Sequence, residues 1–333
     1  MKLLIVGEKE IRELLPMDGC MAVMDEAFRA LARDEAIQPL RSLMWLPGRQ
    51  GLLGMMPSYL GNIHRFGIKV VSVFPGNHGT PYDSHQGAIL LYEQEYGRLL
   101  AIMDATAVTA IRTGAVSGVA TRALARADAG DLAIIGSGVQ AAVHLEAMLH
   151  ARPIRRVRVW SRTPAKARAF AERASARHGI RVEPMESAEA AVRGADLICT
   201  TTSAKEPVLR GEWIAPGAHI NAAGSSVATA RELDTAAVVR SSLFVDRRES
   251  TVNEAGDFLF PKREGAVTDE HIRAELGEVL LGKAPGRRSA EEVTLFKSLG
   301  LAVEDLAAAE YVYQQALAKD RGTWVDFGGG REE

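Results

Sequence analysis

The sequence predicts an α/β protein with two domains: one built on a mixed, mostly antiparallel sheet, followed by one built on a doubly wound parallel sheet. Three observations predict this class. The chain has 333 residues, which is enough for about two domains of roughly 150 residues each. Short apolar segments broken by Gly, Pro, Asn and Asp fill residues 40–103. After residue 130, strands alternate with helices, which indicates parallel βαβ units.

The first domain is predicted to contain two helices and five strands. Apolar residues recur at helical spacing on one face of residues 17–36. A second helix covers 104–127, with Asp104 or Thr106 as its cap. It is rich in Ala, Gly, Ser and Thr, whose small side chains allow another segment to approach closely. The predicted strands are 40–46, 52–57, 67–74, 87–92 and 98–103.

The second domain is predicted to begin near Arg126. Its strands and helices are listed here in chain order: strand 132–135, helix 140–150, strand 157–160, helix 164–178, and strands 197–200, 219–223 and 243–245. The basic turn 282–289 is the predicted exit from this domain. A helix over 298–319 is expected to pack back on the first domain. The residues after 321 are expected to form a loose tail, although Trp324 and Phe327 could dock.

Composition favours a small-molecule partner. Forty Lys and Arg against 42 Asp and Glu give a formal charge of −2, so no global field attracts nucleic acid or a membrane surface. No apolar run is long enough to span a bilayer, and the first residues do not resemble a signal peptide. The two cysteines, Cys20 and Cys199, suggest no disulfide framework. We therefore expect a cytoplasmic protein that binds neither nucleic acid nor membranes.

A glycine-rich turn predicts a dinucleotide site. Gly136, Ser137, Gly138, Val139 and Gln140 follow an apolar strand and open a helix, in the G-x-G-x-x-A form of the dinucleotide fingerprint. Glycines allow the tight turn and the close approach of the pyrophosphate, and the helix N-terminus offers unpaired N–H groups to phosphate. The alternative is a glycine turn that serves packing alone.

The end of the next strand favours NADP over NAD. An NAD site usually places Asp or Glu about 20 residues after the fingerprint. Here Ser161, Arg162 and Thr163 offer donors and a positive charge that suit a 2′-phosphate, and Lys166 lies shortly after them. Thr163 precedes a proline, so it also fits the cap of the next helix. We expect NADP(H) to be preferred, with NAD(H) possible.

Polar runs at two later strand ends are expected to contact the cofactor. They contain Thr201, Thr202 and Ser203 in the first run, and Gly224 and Ser226 in the second. In open α/β sheets the ligand lies beyond the carboxyl ends of the strands, so these runs are predicted to line the nicotinamide side. Ordinary capping loops are the alternative. Thr113 is also included among the expected cofactor contacts.

Three cations stand in otherwise apolar segments of the first domain. Lys69 lies on a strand, Arg112 in the small-residue helix, and Arg41 at the start of another strand. A buried cation needs an anion, and a substrate carboxylate could supply it. The alternative is that each cation reaches solvent or pairs with a protein carboxylate. No metal is expected, because His64, His78 and His85 lack ligand spacing such as H-E-x-x-H.

Segments spread over nearly the whole chain resemble the ornithine cyclodeaminase/mu-crystallin family. They are RFGIKVVSVFPGN (65–77), HQGAILLYE (85–93), AIMDATAVTAIRTGAVSGVATRALA (101–125), IIGSGVQA (134–141), HINAAGSS (219–226), EAGDF (254–258) and FKSLGLAVEDLAAA (296–309). The segments that contain IRTGA and FKSLGLAVEDLA are far more specific than a glycine fingerprint.

The resemblance implies a homodimer in which a Rossmann domain, residues 127–297, is inserted into a discontinuous substrate and dimerisation domain, residues 1–126 plus 298–333. It implies that Arg41, Lys69 and Arg112 hold the substrate carboxylate, and that Lys69 lies beside the carbon that exchanges hydride. It also implies that Ser298 contacts the nicotinamide carboxamide.

Two departures from the cyclodeaminase pattern favour the ketimine reductase/mu-crystallin branch. Ser226 stands where cyclodeaminases carry an Asp thought to act in ring closure, and Gly54 stands where they carry a Glu. We therefore expect an NAD(P)H-dependent reductase of a C=N bond next to a carboxylate: a cyclic ketimine acid such as pyrroline-2-carboxylate or piperideine-2-carboxylate, or an imine of a 2-oxo acid. Lys69 and Arg112 are the expected catalytic residues, and desolvation beside two arginines should lower the pKa of Lys69. The alternatives are an ornithine cyclodeaminase that uses NAD, and a mu-crystallin-like binding protein.

Overall fold

The computed structural model describes residues 2–77 and 79–329. The chain divides into two compact units: unit 1 comprises the chain up to Arg112 together with the residues from Leu301 on, and unit 2 comprises Thr113–Gly300. The division falls inside a helix, whereas the sequence placed it near Arg126. Within the described residues, no helix is both long and apolar enough to cross a membrane.

The strands of the described chain are β1 (Lys2–Val6), β2 (Ala36–Ile37), β3 (Ser42–Trp45), β4 (Leu52–Leu60), β5 (Arg65–Val73), β6 (His85–Glu93), β7 (Leu99–Asp104), β8 (Asp131–Ile135), β9 (Arg156–Trp160), β10 (Val182–Pro184), β11 (Leu197–Thr200), β12 (His219–Ala222), β13 (Ser242–Val245), β14 (Ile272–Glu275), β15 (Thr294–Lys297) and β16 (Thr323–Asp326). The helices are α1 (Glu8–Leu14), α2 (Met17–Ala32), α3 (Ala105–Leu124), α4 (Val139–Ala151), α5 (Pro164–His178), α6 (Ala188–Val192), α7 (Thr235–Val239), α8 (Arg248–Glu254), α9 (Gly256–Arg263), α10 (Leu276–Leu280) and α11 (Ala302–Lys319).

Unit 1 is organised around a mixed sheet in the order β16-β1-β7-β6-β5-β4-β2, with β3 paired to β4. The β1–β7 pair is parallel, and the other pairs are antiparallel. Helix α11 packs on β4, β5 and β6 and against α2. The C-terminal helix therefore covers the face of the sheet formed by the first hundred residues.

The two ends of unit 1 differ from the sequence prediction. Strand β1 and helix α1 were not predicted. The expected loose tail contains β16, which pairs antiparallel with β1 in a register that sets Leu4 opposite Trp324. The pairing depends on residues more than 300 positions apart, so no local pattern reveals it.

Unit 2 contains a fully parallel sheet in the order β10-β9-β8-β11-β12-β15-β13-β14. The strand order reverses between β8 and β11, because β9 lies on one side of β8 and β11 on the other. Such a switch point opens a crevice at the carboxyl ends of the two strands, and ligands of open α/β sheets bind there. The predicted glycine turn follows β8 at this crevice.

The expected exit at residues 282–289 is wrong. After this turn the chain re-enters the sheet as β15, which inserts between β12 and β13. Strand β15 is only four residues long and entirely buried, so it lacks the alternation of apolar and polar residues that marks a half-buried strand. The helix expected to begin at residue 298 begins at Ala302 instead.

The small residues of α3 allow the close approach that the sequence predicts. A Cβ atom on Gly114 would lie 2.7 Å from the carbonyl oxygen of Val143 on α4, closer than real Cβ contacts allow. At its N-terminus, α3 is capped by Asp104, whose Oδ1 accepts a hydrogen bond of 2.8 Å from the backbone N–H of Ala107.

Two fully buried histidines pack inside unit 2. The ring of His144 bonds to the Gln140 carbonyl oxygen at 2.7 Å and to the Ser117 hydroxyl at 2.9 Å. The ring of His219 contacts Thr294 Oγ1 at 2.9 Å and Asn221 Oδ1 at 3.3 Å. Burial lowers the pKa of His144 to about 4 and that of His219 to about 3.

These histidines should make unit 2 sensitive to acid. The unfolded chain binds protons near pH 6.5, whereas the folded state resists protonation down to about pH 4 at His144. The free energy of unfolding therefore decreases as the pH falls from 6.5 toward 4, by up to about 1.4 kcal/mol per pH unit for each histidine. Urea unfolding between pH 7.5 and 5 measures this slope. The slope should decrease in His219→Gln and persist in the exposed control His150→Gln, and equal slopes in both variants would contradict the assignment.

Candidate active site

The glycine turn after β8 requires a glycine at its first position. Gly136 has φ 129°, a conformation that side chains disfavour. A Cβ atom there would lie 2.5 Å from Thr201 Oγ1. The backbone N–H of Gly136 donates to the Trp160 carbonyl oxygen at 2.8 Å, which links the turn to the end of β9.

The turn leads into the N-terminus of α4, which is open to a ligand. Gly138 is the N-cap of α4, without a side-chain capping bond, and within the described chain nothing lies within 4 Å of a Cβ atom placed on it. The first N–H groups of the helix, from Val139 and Gln140, are therefore available to an anion. Ser137 Oγ donates a hydrogen bond of 3.0 Å to Ser161 Oγ, which ties the turn to the loop after β9.

The loop after β9 presents a cation and hydroxyls but no carboxylate. Arg162, Thr163 and Lys166 are exposed. Thr163 is the N-cap of α5, yet its hydroxyl makes no capping hydrogen bond. Thr163 therefore caps α5 through its backbone alone: its carbonyl oxygen accepts a hydrogen bond of 3.0 Å from the Lys166 N–H.

A buried carboxylate, missed by the sequence analysis, joins the two polar runs after β11 and β12. Glu232 accepts hydrogen bonds from Thr200 Oγ1 at 2.7 Å, from the N–H and hydroxyl of Thr202 at 2.6 and 2.7 Å, and from Gly224 N–H at 2.9 Å. Burial and the nearby Asp257 carboxylate raise the pKa of Glu232. Thr201 Oγ1 bonds to the Ile135 carbonyl oxygen at 3.1 Å, while Ser203 is exposed and Ser226 half-buried.

A second buried network holds the end of β15. Lys297 Nζ lies 2.9 Å from Asp257 Oδ2 and donates to the carbonyl oxygens of Ala222, at 3.3 Å, and Ser225, at 2.5 Å. Asp246 Oδ2 accepts the backbone N–H groups of residues 299 and 300 at 2.5 and 3.0 Å. Ser298, between these anchors, is buried, and within the described residues its Oγ has no hydrogen-bond partner.

These features fit a dinucleotide. The parallel sheet brings the segments after β8, β9, β11, β12 and β15 to one edge. They offer free helix N–H groups and two buried polar atoms, Ser298 Oγ and Gln140 Oε1, that lack hydrogen-bond partners within the described chain. Buried polar atoms without a partner are unusual in folded proteins and are compatible with a site that a ligand completes. Thr113 is buried on α3 and does not follow any of these strands.

In unit 1, Lys69 and Arg112 meet at one carboxylate. Lys69, on β5, places its Nζ 2.5 Å from Asp305 Oδ2, and Arg112 Nε donates to Asp305 Oδ1 at 2.9 Å. Arg112 Nη1 also donates to Glu304 Oε2 at 2.7 Å, and Lys69 Nζ donates to Thr109 Oγ1 at 3.4 Å. All four charged side chains are buried, with at most 4% of each exposed.

The charges in this cluster shift one another. Burial lowers the pKa of Lys69 to about 8, with Arg112 and Arg41 acting in the same direction and Asp305 against them. The predicted direction for Lys69 is thus confirmed. Burial alone would lower the pKa of Arg112, but Asp305 and Glu304 outweigh it and raise that pKa. The same cations lower the pKa of Asp305, although its burial opposes this.

Lys69 and Arg112 therefore pair with protein carboxylates, the alternative that the sequence left open. Pairing does not exhaust their donors, because an arginine carries five N–H groups and a lysine ammonium three. Among the described residues, the hydrogen bonds of Arg112 use Nε and Nη1, which leaves Nη2 for a ligand. Arg41, half-buried before β3, belongs to the same electrostatic environment through its effect on Lys69.

Asp305 and Glu304 lie in a segment that carries the family resemblance (296–309), but no role was predicted for them. A signal was present: the two acids are adjacent inside an apolar stretch, and residues 302–309 of α11 are all buried. Buried carboxylates are rarely found without a partner, so an acidic pair in such a stretch predicts cations opposite it. The partners themselves lie more than 190 positions away in the chain.

The family profile of the ornithine cyclodeaminase/mu-crystallin family matches residues 1–320. The chain belongs to this family. Mouse ketimine reductase mu-crystallin is 42% identical over 277 residues, which cover 83% of this chain and 84% of that protein. The predicted membership is confirmed.

Two solved structures share the fold of this chain. Thermococcus litoralis Δ1-pyrroline-2-carboxylate reductase, in complex with NADH and L-proline, has a TM-score of 0.93 and 40% identity, covering 96% of this chain and 99% of that one. An archaeal alanine dehydrogenase dimer with bound NAD has a TM-score of 0.93 and 34% identity, covering 98% and 100%. The predicted fold class, a parallel Rossmann sheet beside a separate mixed antiparallel sheet, is confirmed.

The two positions that depart from the cyclodeaminase pattern lie in different units. Gly54 is buried in β4, paired with Leu43 of β3 and Val71 of β5. A Cβ atom there would approach Val71 Cγ1 to 3.3 Å, so the position lacks room for a glutamate without a shift. Ser226 follows β12 at the edge of the parallel sheet. Neither position carries a carboxylate.

Histidines do not form a metal site in the described chain. Residues 2–77 and 79–329 contain no group of three His, Cys, Asp or Glu side chains placed to hold an ion. His64 lies in a turn, and His85 begins β6. His78 is outside the described residues.

Proposed function

We propose that this protein reduces a C=N bond next to a carboxylate, with NADPH as the preferred cofactor. The observation that carries the proposal is the buried pair of Lys69 and Arg112, which both contact the carboxylate of Asp305. In the same chain, the carboxyl edge of the parallel sheet fits a dinucleotide. Two of the named relatives support it: the mouse protein is a ketimine reductase, and the Thermococcus litoralis protein is a Δ1-pyrroline-2-carboxylate reductase. A cyclic ketimine acid or an imine of a 2-oxo acid is the substrate class.

The reaction adds one hydride and one proton across the C=N bond. When bound, NADPH supplies the hydride for the imine carbon. The Arg112 guanidinium, through its remaining N–H groups, and Arg41 bind the substrate carboxylate. Lys69 gives a proton from Nζ to the imine nitrogen, which becomes the amine nitrogen, and the neutral lysine takes a proton back from solvent. Holding the substrate by its carboxylate orients the C=N bond and so lowers the entropic cost of the reaction.

A substrate panel tests the proposal. Loss of NADPH is followed with pyrroline-2-carboxylate, with piperideine-2-carboxylate, and with pyruvate or glyoxylate plus ammonia or methylamine. Ammonia release from ornithine with NAD⁺ is measured in parallel. We expect reduction of at least one imine and no ammonia from ornithine. Activity on ornithine alone would favour a cyclodeaminase, and tight NADPH binding without any turnover would favour a binding protein.

We also propose that the loop after β9 selects NADPH over NADH. The loop offers Ser161, Arg162 and Thr163 to a 2′-phosphate and has no acid to bind a ribose hydroxyl. Arg162→Ala should raise Kd for NADPH about 10- to 100-fold and leave that for NADH unchanged, because a charge-assisted hydrogen bond contributes about 1.5–3 kcal/mol. The matched control is Arg168→Ala, an exposed arginine on helix α5, which follows this loop. Equal losses for both dinucleotides would contradict a 2′-phosphate contact.

A homodimer is the proposed assembly. Strands β2 and β3, at one edge of the sheet of unit 1, expose Ile37, Leu43, Met44 and Trp45, each between 44% and 63% exposed. An exposed apolar edge of this kind marks a protein contact. Sedimentation should give a dimer for the unmodified protein and a monomer for Trp45→Lys, and a monomer in both cases would rule out this assembly.

The cytoplasm is the proposed location. Cys20 and Cys199 are free, buried thiols, and burial raises the pKa of both, which keeps them protonated. Reduced cysteines suit a reducing compartment. Fractionation of the native host followed by immunodetection tests the location.

A further inference from the structure

Asp305 occupies a central position between Lys69 and Arg112, the two buried cations of unit 1. It lies in the first turn of α11, where the side chain of Gln38 accepts the backbone N–H of Val303 at 2.9 Å. Each of its two carboxylate oxygens contacts a different cation: Oδ2 contacts the Lys69 ammonium at 2.5 Å, and Oδ1 accepts a hydrogen bond from Arg112 Nε at 2.9 Å. Asp305 therefore fixes the distance between Lys69, the proposed proton donor, and Arg112, which is proposed to bind the substrate carboxylate.

Lys69 depends on Asp305 for its charge. The groups that face Lys69 from the surrounding elements are Asp305 on α11, Arg112 and Thr109 on α3, His85 on β6 and Arg41 before β3. Two of these are guanidinium groups and one is a carboxylate. Burial and Lys69 lower the pKa of His85, which favours its neutral ring, so His85 does not add a third like charge. Without Asp305, the buried ammonium would lose this ion pair, while burial, Arg112 and Arg41 would still lower its pKa.

Glu304 provides an internal comparison. It is adjacent to Asp305, equally buried and equally charged, but its ion pair is with Arg112, at 2.7 Å from Nη1. A change at Glu304 removes the same charge from the same helix turn. The two acids thus separate a general effect of negative charge from the specific contact with Lys69.

We propose that Asp305 is the positioning residue of this site: it keeps the Lys69 ammonium charged and aimed while leaving Arg112 Nη2 for the substrate carboxylate. This inference rests on the proposed function in taking Lys69 as the proton donor. After Lys69 has given its proton to the imine nitrogen, Asp305 remains paired with Arg112, so no buried carboxylate is left without a cation. Reprotonation of Lys69 by solvent then restores the pair.

The test compares Asp305→Asn with Glu304→Gln. In protein labelled with ¹⁵N-lysine, the Nζ signal that is missing in Lys69→Met belongs to Lys69, and its titration gives the pKa directly, with no need for turnover. Asp305→Asn should lower this midpoint by about one pH unit or more, since an opposite charge at this distance shifts a pKa by roughly that amount. The alkaline limb of the kcat profile should move to lower pH by the same amount. Glu304→Gln should shift both by less.

Equal shifts in the two variants, or an unchanged midpoint in Asp305→Asn, would overturn the proposal. If Asp305→Asn does not fold, Asp305→Glu decides: it keeps the charge but displaces it, so we expect a near-normal midpoint with kcat reduced about tenfold, and an unchanged kcat would overturn the positioning role. If no imine is reduced by the unmodified protein, the proposed function fails, and the Nζ midpoints still report on Asp305.

Discussion

Lys69→Met should reduce kcat for imine reduction by about 10²- to 10⁴-fold, the range that a positioned proton donor contributes. The methionine fills similar space but has no proton to give to the imine nitrogen. Asp305 keeps Arg112 as a partner at 2.9 Å, so the variant retains a compensated carboxylate. Kd for NADPH should not change, because the residues that fit the dinucleotide belong to unit 2. Stopped-flow kinetics and fluorescence titration measure the two quantities.

Lys297→Met is the matched control for this variant. Lys297 is also a buried lysine paired with an aspartate, Asp257, at 2.9 Å. However, it holds the carbonyl oxygens of Ala222 and Ser225 at the edge of the parallel sheet. Its loss should therefore weaken NADPH binding. If Lys69→Met weakened NADPH binding as much as Lys297→Met and kept its turnover, Lys69 would not be the donor.

Arg112→Ala should destabilise the protein by about 3–5 kcal/mol, the cost of breaking a buried ion pair by removing one partner. Two carboxylates depend on this guanidinium, Glu304 at 2.7 Å and Asp305 at 2.9 Å. The remaining folded protein should also show a KM for the imine raised about tenfold or more, since a charge-assisted contact with the substrate carboxylate is lost. Urea unfolding and steady-state kinetics provide the measurements.

Arg112→Lys separates the two effects. It keeps a positive charge for Glu304 and Asp305, so much of the stability should return. A lysine lacks the planar fork that binds two carboxylates and a ligand at once, so KM should stay high. Recovery of both stability and KM would show that charge alone suffices at this position and that the guanidinium fork is not required.

The sequence was most informative where function depends on local geometry. The turn from Gly136 to Gln140 is defined by consecutive residues, and its strand–turn–helix context could be predicted because β8 and α4 flank it directly. The cations Lys69 and Arg112 were detectable because each interrupts an apolar pattern. Helix α5 and strand β11 have the predicted bounds, since a proline at the start of α5 and a continuous apolar run in β11 mark them.

The remaining features depend on pairings between distant residues. Nothing near Asp305 indicates that its partner is Lys69 on β5, more than 230 positions earlier. In the sequence, Glu232 resembles an ordinary exposed acid. Its burial becomes evident only when the segments after β11 and β12 fold around it. Strand β15 was missed because a short buried strand carries no periodicity. Tertiary pairing, rather than local preference, determines each of these elements.

The split composition of unit 1 has a consequence for synthesis on the ribosome. Domains tend to fold as they emerge, from the N-terminus onward, but the sheet of unit 1 must wait for α11 and β16, which follow the whole of unit 2. Until α11 is made, Lys69 and Arg112 have neither Asp305 nor Glu304 to neutralise them. Burying a cation without a partner is costly, so we expect this region of unit 1 to stay open in the nascent chain until the last helix brings the two carboxylates.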